Sequence, residues 1–193
     1  MSQPERKSMM LLALSPLALV AICASIQFAA GRLIGVWAWV PTMLVFWCII
    51  TFLLHQQPIA SRLRQRFQPA SGSQFWSVLA VLAGLLSLHG FLSNWTLLAS
   101  TPLIIAWLVF ALINPWFEES YWRGLLIDST VSWGKFASLL YSSAWFAVSH
   151  PLIWGIHSLP LRKPEAVGAL FFVGIIWGLA YQRTCSLRWC VAG

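Results

Sequence analysis

Acidic side chains are nearly absent from this chain: five Asp and Glu stand among 193 residues, against twelve Lys and Arg. Charged residues of both signs together reach only 9 %. A water-soluble domain carries about 25 % charged residues to cover its surface, so soluble globular, coiled-coil, collagen-like and disordered classes are excluded. Cysteine is scarce as well, and Cys23, Cys48, Cys185 and Cys190 include no Cys-x-x-Cys spacing. Neither a zinc knuckle nor a redox dithiol is indicated, and all four are expected as buried thiols. Internal repeats, low-complexity segments and a separate soluble domain are also lacking.

What is present is apolar. Hydrophobic residues make up 59 % of the chain, mean hydropathy is +0.76, and there are 13 Trp, 12 Phe and 3 Tyr. Such aromatic content suits rings that anchor helices at a bilayer surface. The net charge of +7 falls in short gaps between apolar runs rather than along one face. That pattern belongs to loops facing anionic lipid, so membrane lipid is an expected partner and nucleic acid is not. Behind a basic start, the uncharged run from Ser8 to Gly31 is long enough to span and shows no small-x-small cleavage site, which predicts a retained first helix.

A helix crossing about 30 Å of hydrocarbon needs about 20 apolar residues. On that count the fold is all-α, a polytopic membrane bundle with about six spans plus the start of a seventh. The spans are Met9 to Ala30, Leu33 to Leu54, Phe75 to Leu92, Leu97 to Phe117, Phe136 to Ile156 and Val167 to Tyr181. The uncharged stretch from Phe67 to Phe117 would reach about 76 Å as one helix. It must double back, with Ser93-Asn94 and Ser100-Thr101-Pro102 as the turn region. With the N-terminus inside, Arg6, Lys7, Arg62, Arg64, Arg66, Arg123, Lys135, Arg183 and Arg188 lie on the cytoplasmic side, against Arg32, Arg162 and Lys163 outside. This bias sets the expected orientation, and it survives setting Arg123 aside. The run from Arg62 to Arg66 reads as a lipid-facing loop, and Asp128 and Glu165 as loop charges.

Ionisable groups within or at the ends of spans cost about 2.5 to 3.5 kcal/mol each and are kept mainly with partners and a task. Glu118 and Glu119 stand where the fourth span ends, and Arg123 follows Glu119 by four residues, so these two share a helical face and can pair. Glu118 is rotated about 100° from Glu119 and can point elsewhere. Set in an apolar wall, it could serve as a general base for water. The plainer alternative is a helix end whose charges snorkel to the headgroups. Asn114-Pro115 could also cap and start a new helix, with both acids in its first turns. In the fifth span Phe146 and His150 are one turn apart, which lets the ring pack beside the imidazole. Pro151 leaves the carbonyl of Ala147 without its amide partner. His150 can therefore be a structural histidine or a functional one. His89, His55 and His157 read as structural.

Taken together, Glu118-Glu119-x-x-x-Arg123, Arg123-Gly124-Leu125-Leu126 and Phe146-x-x-x-His150 resemble the first two motifs of the CPBP family. That family comprises CAAX-type prenyl endopeptidases and bacteriocin-processing, Abi-like membrane proteases. The separation of 32 residues between Glu118 and His150 is of the family's order. The likeness covers roughly 97–193, a protease core behind N-terminal variable helices at 1–96. It implies an intramembrane endopeptidase, a hydrolase acting on membrane-associated peptides or proteins. In that reading Glu118 takes the proton of a water, His150 positions the water or steadies the oxyanion, and Glu119 and Arg123 orient the first carboxylate. The resemblance leaves open whether a divalent metal such as zinc takes part. Glu118 and His150 are the candidate ligands, and two are too few for a catalytic zinc, which takes three from the protein.

Thr184-Cys185-Ser186-Leu187 matches the approach to the family's third motif, whose histidine would fall just past Gly193. The expectation is a core truncated before that motif, with little or no proteolysis by these 193 residues alone. A non-catalytic membrane scaffold or immunity protein derived from the same family is the alternative. A transporter is disfavoured, because the first three spans carry no acid and do not match the second half. Substrate identity and oligomeric state are not legible. The expected location is a bacterial inner membrane.

Overall fold

A computed structural model describes residues 3–55, 65–69, 74–94, 100–155 and 158–193, with side chains except at 3–8 and 86–94. Among these residues there are helices and no strand. Helix α1 spans Gln3–Ile34 and α2 spans Trp39–His55, joined by a 3-10 turn at Gly35–Ala38. Gly35 adopts φ +57°, a conformation that a side chain would strain, and there the chain reverses. The reversal is fixed by Thr42, whose hydroxyl donates to Gln27 Oε1 at 2.5 Å. In one straight helix these residues would lie about 22 Å apart.

Helix α3 spans Gln74–Asn94 and α4 spans Thr101–Glu119, continuing in wider π turns over Ser120–Ile127. Ser100 is extended and Pro102 sits in the first turn of α4, where a missing amide costs nothing. The expected turn region thus ends one helix and starts the next, although 95–99 lie outside the described residues. Helix α5 is Lys135–Ser149 with π turns at His150–Trp154. Helix α6 is Pro164–Thr184, and the short α7 is Arg188–Ala192.

Three helical runs are long and apolar enough to cross a bilayer: Met9–His55, which folds back at Gly35, Thr101–Ile127 and Pro164–Thr184. Within α3 only Gln74–Leu85 is a shorter apolar segment among the described residues. The fourth span does not stop at Phe117. It continues ten residues further, because Glu119 and Arg123 neutralise each other inside the bundle instead of ending the helix at water.

Two buried clusters hold the helices together. One joins Leu12, Leu19, Phe46 and Ile50 of the first hairpin to Tyr121, Leu125, Phe146 and Ile153. The other joins Ala80, Ile127, Leu139, Ala180 and Leu187. Large apolar side chains such as Leu11, Phe52, Leu112 and Phe172 face outward, as lipid contact allows. Polar bonds cross between helices where packing alone would leave a choice of register. Ser15 donates to Leu12 O at 2.7 Å, the carbonyl that Pro16 leaves without its amide partner, and lies 2.8 Å from the Tyr121 hydroxyl. Tyr141 donates to Ala13 O at 2.5 Å, and Trp177 Nε1 to Ala80 O at 2.8 Å.

The cysteines divide. Cys23 and Cys190 are buried as expected, whereas Cys48 and Cys185 are exposed. Cys48 lies on the outward stripe of α2 with Leu44 and Phe52, one turn on either side. Cys185 is the left-handed residue that ends α6, at φ 55°.

Candidate active site

The two glutamates lie late in α4, not in the first turns of a new helix. Pro115 is carried inside α4, and the Asn114 side chain is used elsewhere: Trp47 Nε1 donates to its Oδ1 at 3.0 Å. An Asn so engaged caps nothing, so Glu118 and Glu119 are not at the positive end of a dipole. Trp47 also stacks on Phe117, with centroids 5.2 Å apart and planes 13° apart. The turn that carries Glu118 is thereby clamped from α2.

Directly after Glu119 the helix widens. Arg123 Nη1 donates to Glu119 Oε1 at 2.9 Å, and both side chains are almost fully withdrawn from the surface, at 1 % and 2 % exposure. This is the pair expected from the four-residue spacing. The guanidinium lies 4.2 Å over the Phe146 ring and 5.1 Å over that of Trp177. Glu119 Oε2, Arg123 Nη2 and Trp122 Nε1 are buried without a partner among the described residues. Three such atoms in one turn are places where ordered water is expected, since buried polar groups seldom stay unbonded.

Phe146 and His150 pack as the spacing predicts, edge to face at 4.6 Å. His150 Nδ1 lies 2.7 Å from Phe146 O. A carbonyl oxygen can only accept, so Nδ1 carries a proton, and the neutral form of the ring then has its lone pair on Nε2. Pro151 cannot donate back to Ala147. The chain meets this by widening, and Gly155 N–H reaches His150 O at 2.9 Å, five residues back. Both motif helices therefore switch to π turns at their motif residues.

The structure brings Glu119, Arg123, Phe146 and His150 into one continuous stack. Glu118 is half-buried beside it, and among the described residues neither its carboxylate nor His150 Nε2 has a hydrogen bond or ion pair. His55 is exposed at the end of α2 and Glu165 is exposed in the first turn of α6. The side chain of His89, and the whole of His157, lie outside the described residues.

Three participants were not read from the sequence. Trp177 reaches the guanidinium because α6 approaches α5 closely at Gly174 and Gly178. A Cβ at Gly174 would meet Ser143 at 3.1 Å, and one at Gly178 would meet Leu139 at 2.2 Å. The Gly-x-x-x-Gly spacing is the readable signal of such an approach. Arg66 and Asp128 are the other two, and they are neither lipid-facing nor loop charges. Arg66 is buried, donates to Gly124 O at 2.5 Å and forms an ion pair with Asp128, which also accepts from the Tyr181 hydroxyl at 3.2 Å. This network ties the end of the π segment to α6. Leu187 N–H donates to Arg66 O at 2.8 Å and Ser186 Oγ to Gln68 O at 2.8 Å, so the Thr184–Leu187 corner is docked on the same segment.

Residues 99–193 match the family model described as type II CAAX prenyl endopeptidase Rce1-like. The C-terminal half of the chain belongs to that family. No curated protein and no solved structure matches the chain. The matched residues include both glutamates, Arg123 and His150, together with Asn114, Asp128, Trp177 and the Thr184–Leu187 corner. An Rce1-like domain and helical runs able to cross a bilayer make this an integral membrane protein, and membership at family level is that of an intramembrane endopeptidase with membrane-associated substrates.

No group of three or more His, Cys, Asp or Glu converges among the described residues. Glu118 and His150 supply two donors where a catalytic zinc takes three. The described residues do not fit such a metal.

Proposed function

We propose that this protein is a CAAX-type intramembrane endopeptidase that hydrolyses peptide bonds in membrane-associated substrates, prenylated Cys-a-a-X termini among them. The observation that supports it most is the stack of Glu119, Arg123, Phe146 and His150, which joins the two motif helices through one buried cation. Glu118 is the general base. A water donates one proton toward its carboxylate and the other toward the lone pair of His150 Nε2. As the water oxygen bonds to the scissile carbonyl carbon, its proton passes to Glu118. The tetrahedral adduct then collapses, the C–N bond breaks, and Glu118 returns the proton to the leaving amine. Because Nδ1 is held by Phe146 O, His150 acts on the ground-state water as an acceptor. It becomes a donor to the oxyanion only if Nε2 is protonated.

Arg123 holds Glu119, and among the described residues Glu118 is the carboxylate of the pair without a cation. The Lys and Arg bias supports an N-terminus on the cytoplasmic side; the bacterial inner membrane is the proposed location. The test is cleavage of membrane-tethered peptides, a prenylated Cys-a-a-X peptide first, by the complete protein and by Glu118→Gln. A loss of about 10²-fold or more is expected. Cleavage by the Gln variant at the unaltered rate would refute the assignment of the base. A folded complete protein that cleaves none of the peptides would favour a scaffold derived from the family.

A further inference from the structure

Away from the candidate active site, two apolar grooves meet at a single cation. The first, about 550 Å³, follows one stripe of α3 from the polar Gln74 and Ser77 to Val78, Val81 and Leu82, and Arg188 lines it too. The second, about 510 Å³, runs along Phe67, Trp116 and Val191 and is lined by the same Arg188. The guanidinium is fixed at the junction, because its Nε donates to Phe67 O at 2.5 Å. Among the described residues its Nη groups have neither hydrogen bond nor ion pair.

Among the described residues, Arg188 is the one charged residue that lines either groove. Asp128, the acid at this end, is already engaged by Arg66 and Tyr181. Trp189, 41 % exposed, stands at the rim, where an indole suits the boundary between headgroups and tails.

We propose that Arg188 is a headgroup site for an anionic diacyl phospholipid, with the phosphate on its unengaged Nη groups and one acyl chain in each groove. Charge decides for an anion, and a guanidinium offers a phosphate two parallel donors. The two apolar grooves, both lined by that one cation, decide for two tails rather than one. The assignment is independent of proteolysis, because its readout is bound lipid.

The experiment exchanges the full chain in detergent micelles with phosphatidylglycerol or phosphatidylcholine and measures retained lipid by mass spectrometry of the intact complex. The wild type should retain phosphatidylglycerol at least about fivefold over phosphatidylcholine, the ratio expected for one near-surface charge. Arg188→Gln should bring the ratio to about one. Val81→Trp, which fills the first groove and leaves the cation, should lower retention of both lipids. Equal retention by the wild type would overturn the proposal, as would a preference that survives Arg188→Gln in a folded variant. Displacement of phosphatidylglycerol by an equal concentration of inorganic phosphate would show a headgroup site without tail grooves, and would overturn it too. Should Arg188→Gln fail to fold, the wild-type ratio and Val81→Trp decide alone.

Discussion

The Glu119–Arg123 pair offers the sharpest test of how this bundle is held together. Both side chains are almost fully buried, they share one hydrogen bond of 2.9 Å, and the guanidinium lies on two aromatic rings. Removing one partner strands a charge, which costs about 3–5 kcal/mol at buried sites. The lost contact with the Phe146 and Trp177 faces lies within that range, at about 0.5–2 kcal/mol. Arg123→Met should therefore destabilise the protein by about 4 kcal/mol, and Glu119→Leu by a similar amount. The double variant Glu119→Leu with Arg123→Met should lie within about 1 kcal/mol of wild type, because apolar replacement of both members of a buried pair is close to neutral. Reversible unfolding by SDS titration in mixed micelles measures all three. A double variant whose loss equals the sum of the singles within about 0.5 kcal/mol would show that the two residues do not act on each other. A cost for Arg123→Met below about 1 kcal/mol would refute the burial argument itself. Cleavage should be lost in the double variant although its fold is restored, which separates the pair's positioning role from its structural one.

Gly174→Val should destabilise by about 1–3 kcal/mol, since its Cβ would press on Ser143 at 3.1–3.3 Å from a facing helix. A melting curve unchanged from wild type would mean that α5 and α6 are not packed there. Arg66→Met should cost about 1–3 kcal/mol by leaving Gly124 O and part of the Asp128 carboxylate without their donor. Asp128→Asn in the same background should add little, and a full second penalty would show that the two residues are not coupled.

Much of the local chemistry was legible and much of the long-range chemistry was not. The Glu119–Arg123 pair and the Phe146–His150 contact each join residues four apart, so helical periodicity alone predicts them. The break at Gly31-Arg32 separates the first two spans in the sequence, and the chain reverses a few residues later, at Gly35. By contrast, Arg66 reaches Gly124 across 58 residues and Asp128 across 62. A cluster of arginines before a long apolar stretch looks the same whether it faces headgroups or caps a buried carbonyl. Asn114-Pro115 carried a real helix-start signal, and Trp47 overrode it by occupying the Asn side chain. Trp177 resembles any tryptophan of an apolar helix until the two glycines beside it bring α6 within reach of Arg123.

Pro151 makes the role of the π turn at His150 testable. A proline inside a helix costs about 3 kcal/mol because it removes a hydrogen bond and crowds the preceding turn. Here the chain widens around the proline, Gly155 N–H reaching His150 O, and His150 stands at the first residue of the widened segment. Pro151→Ala restores the missing donor and lets the segment close toward ordinary α geometry. Stability should rise, by up to about 3 kcal/mol. The same closure shifts the turn that follows His150 and changes how Nε2 is presented, so cleavage should fall while the melting temperature climbs. Such opposition is expected where a strained segment serves a site. A variant that is more stable and fully active would show that the π turn only accommodates the proline. A variant that is less stable would show that Pro151 packs in its own right against the first hairpin, and the argument from the lost hydrogen bond would fail.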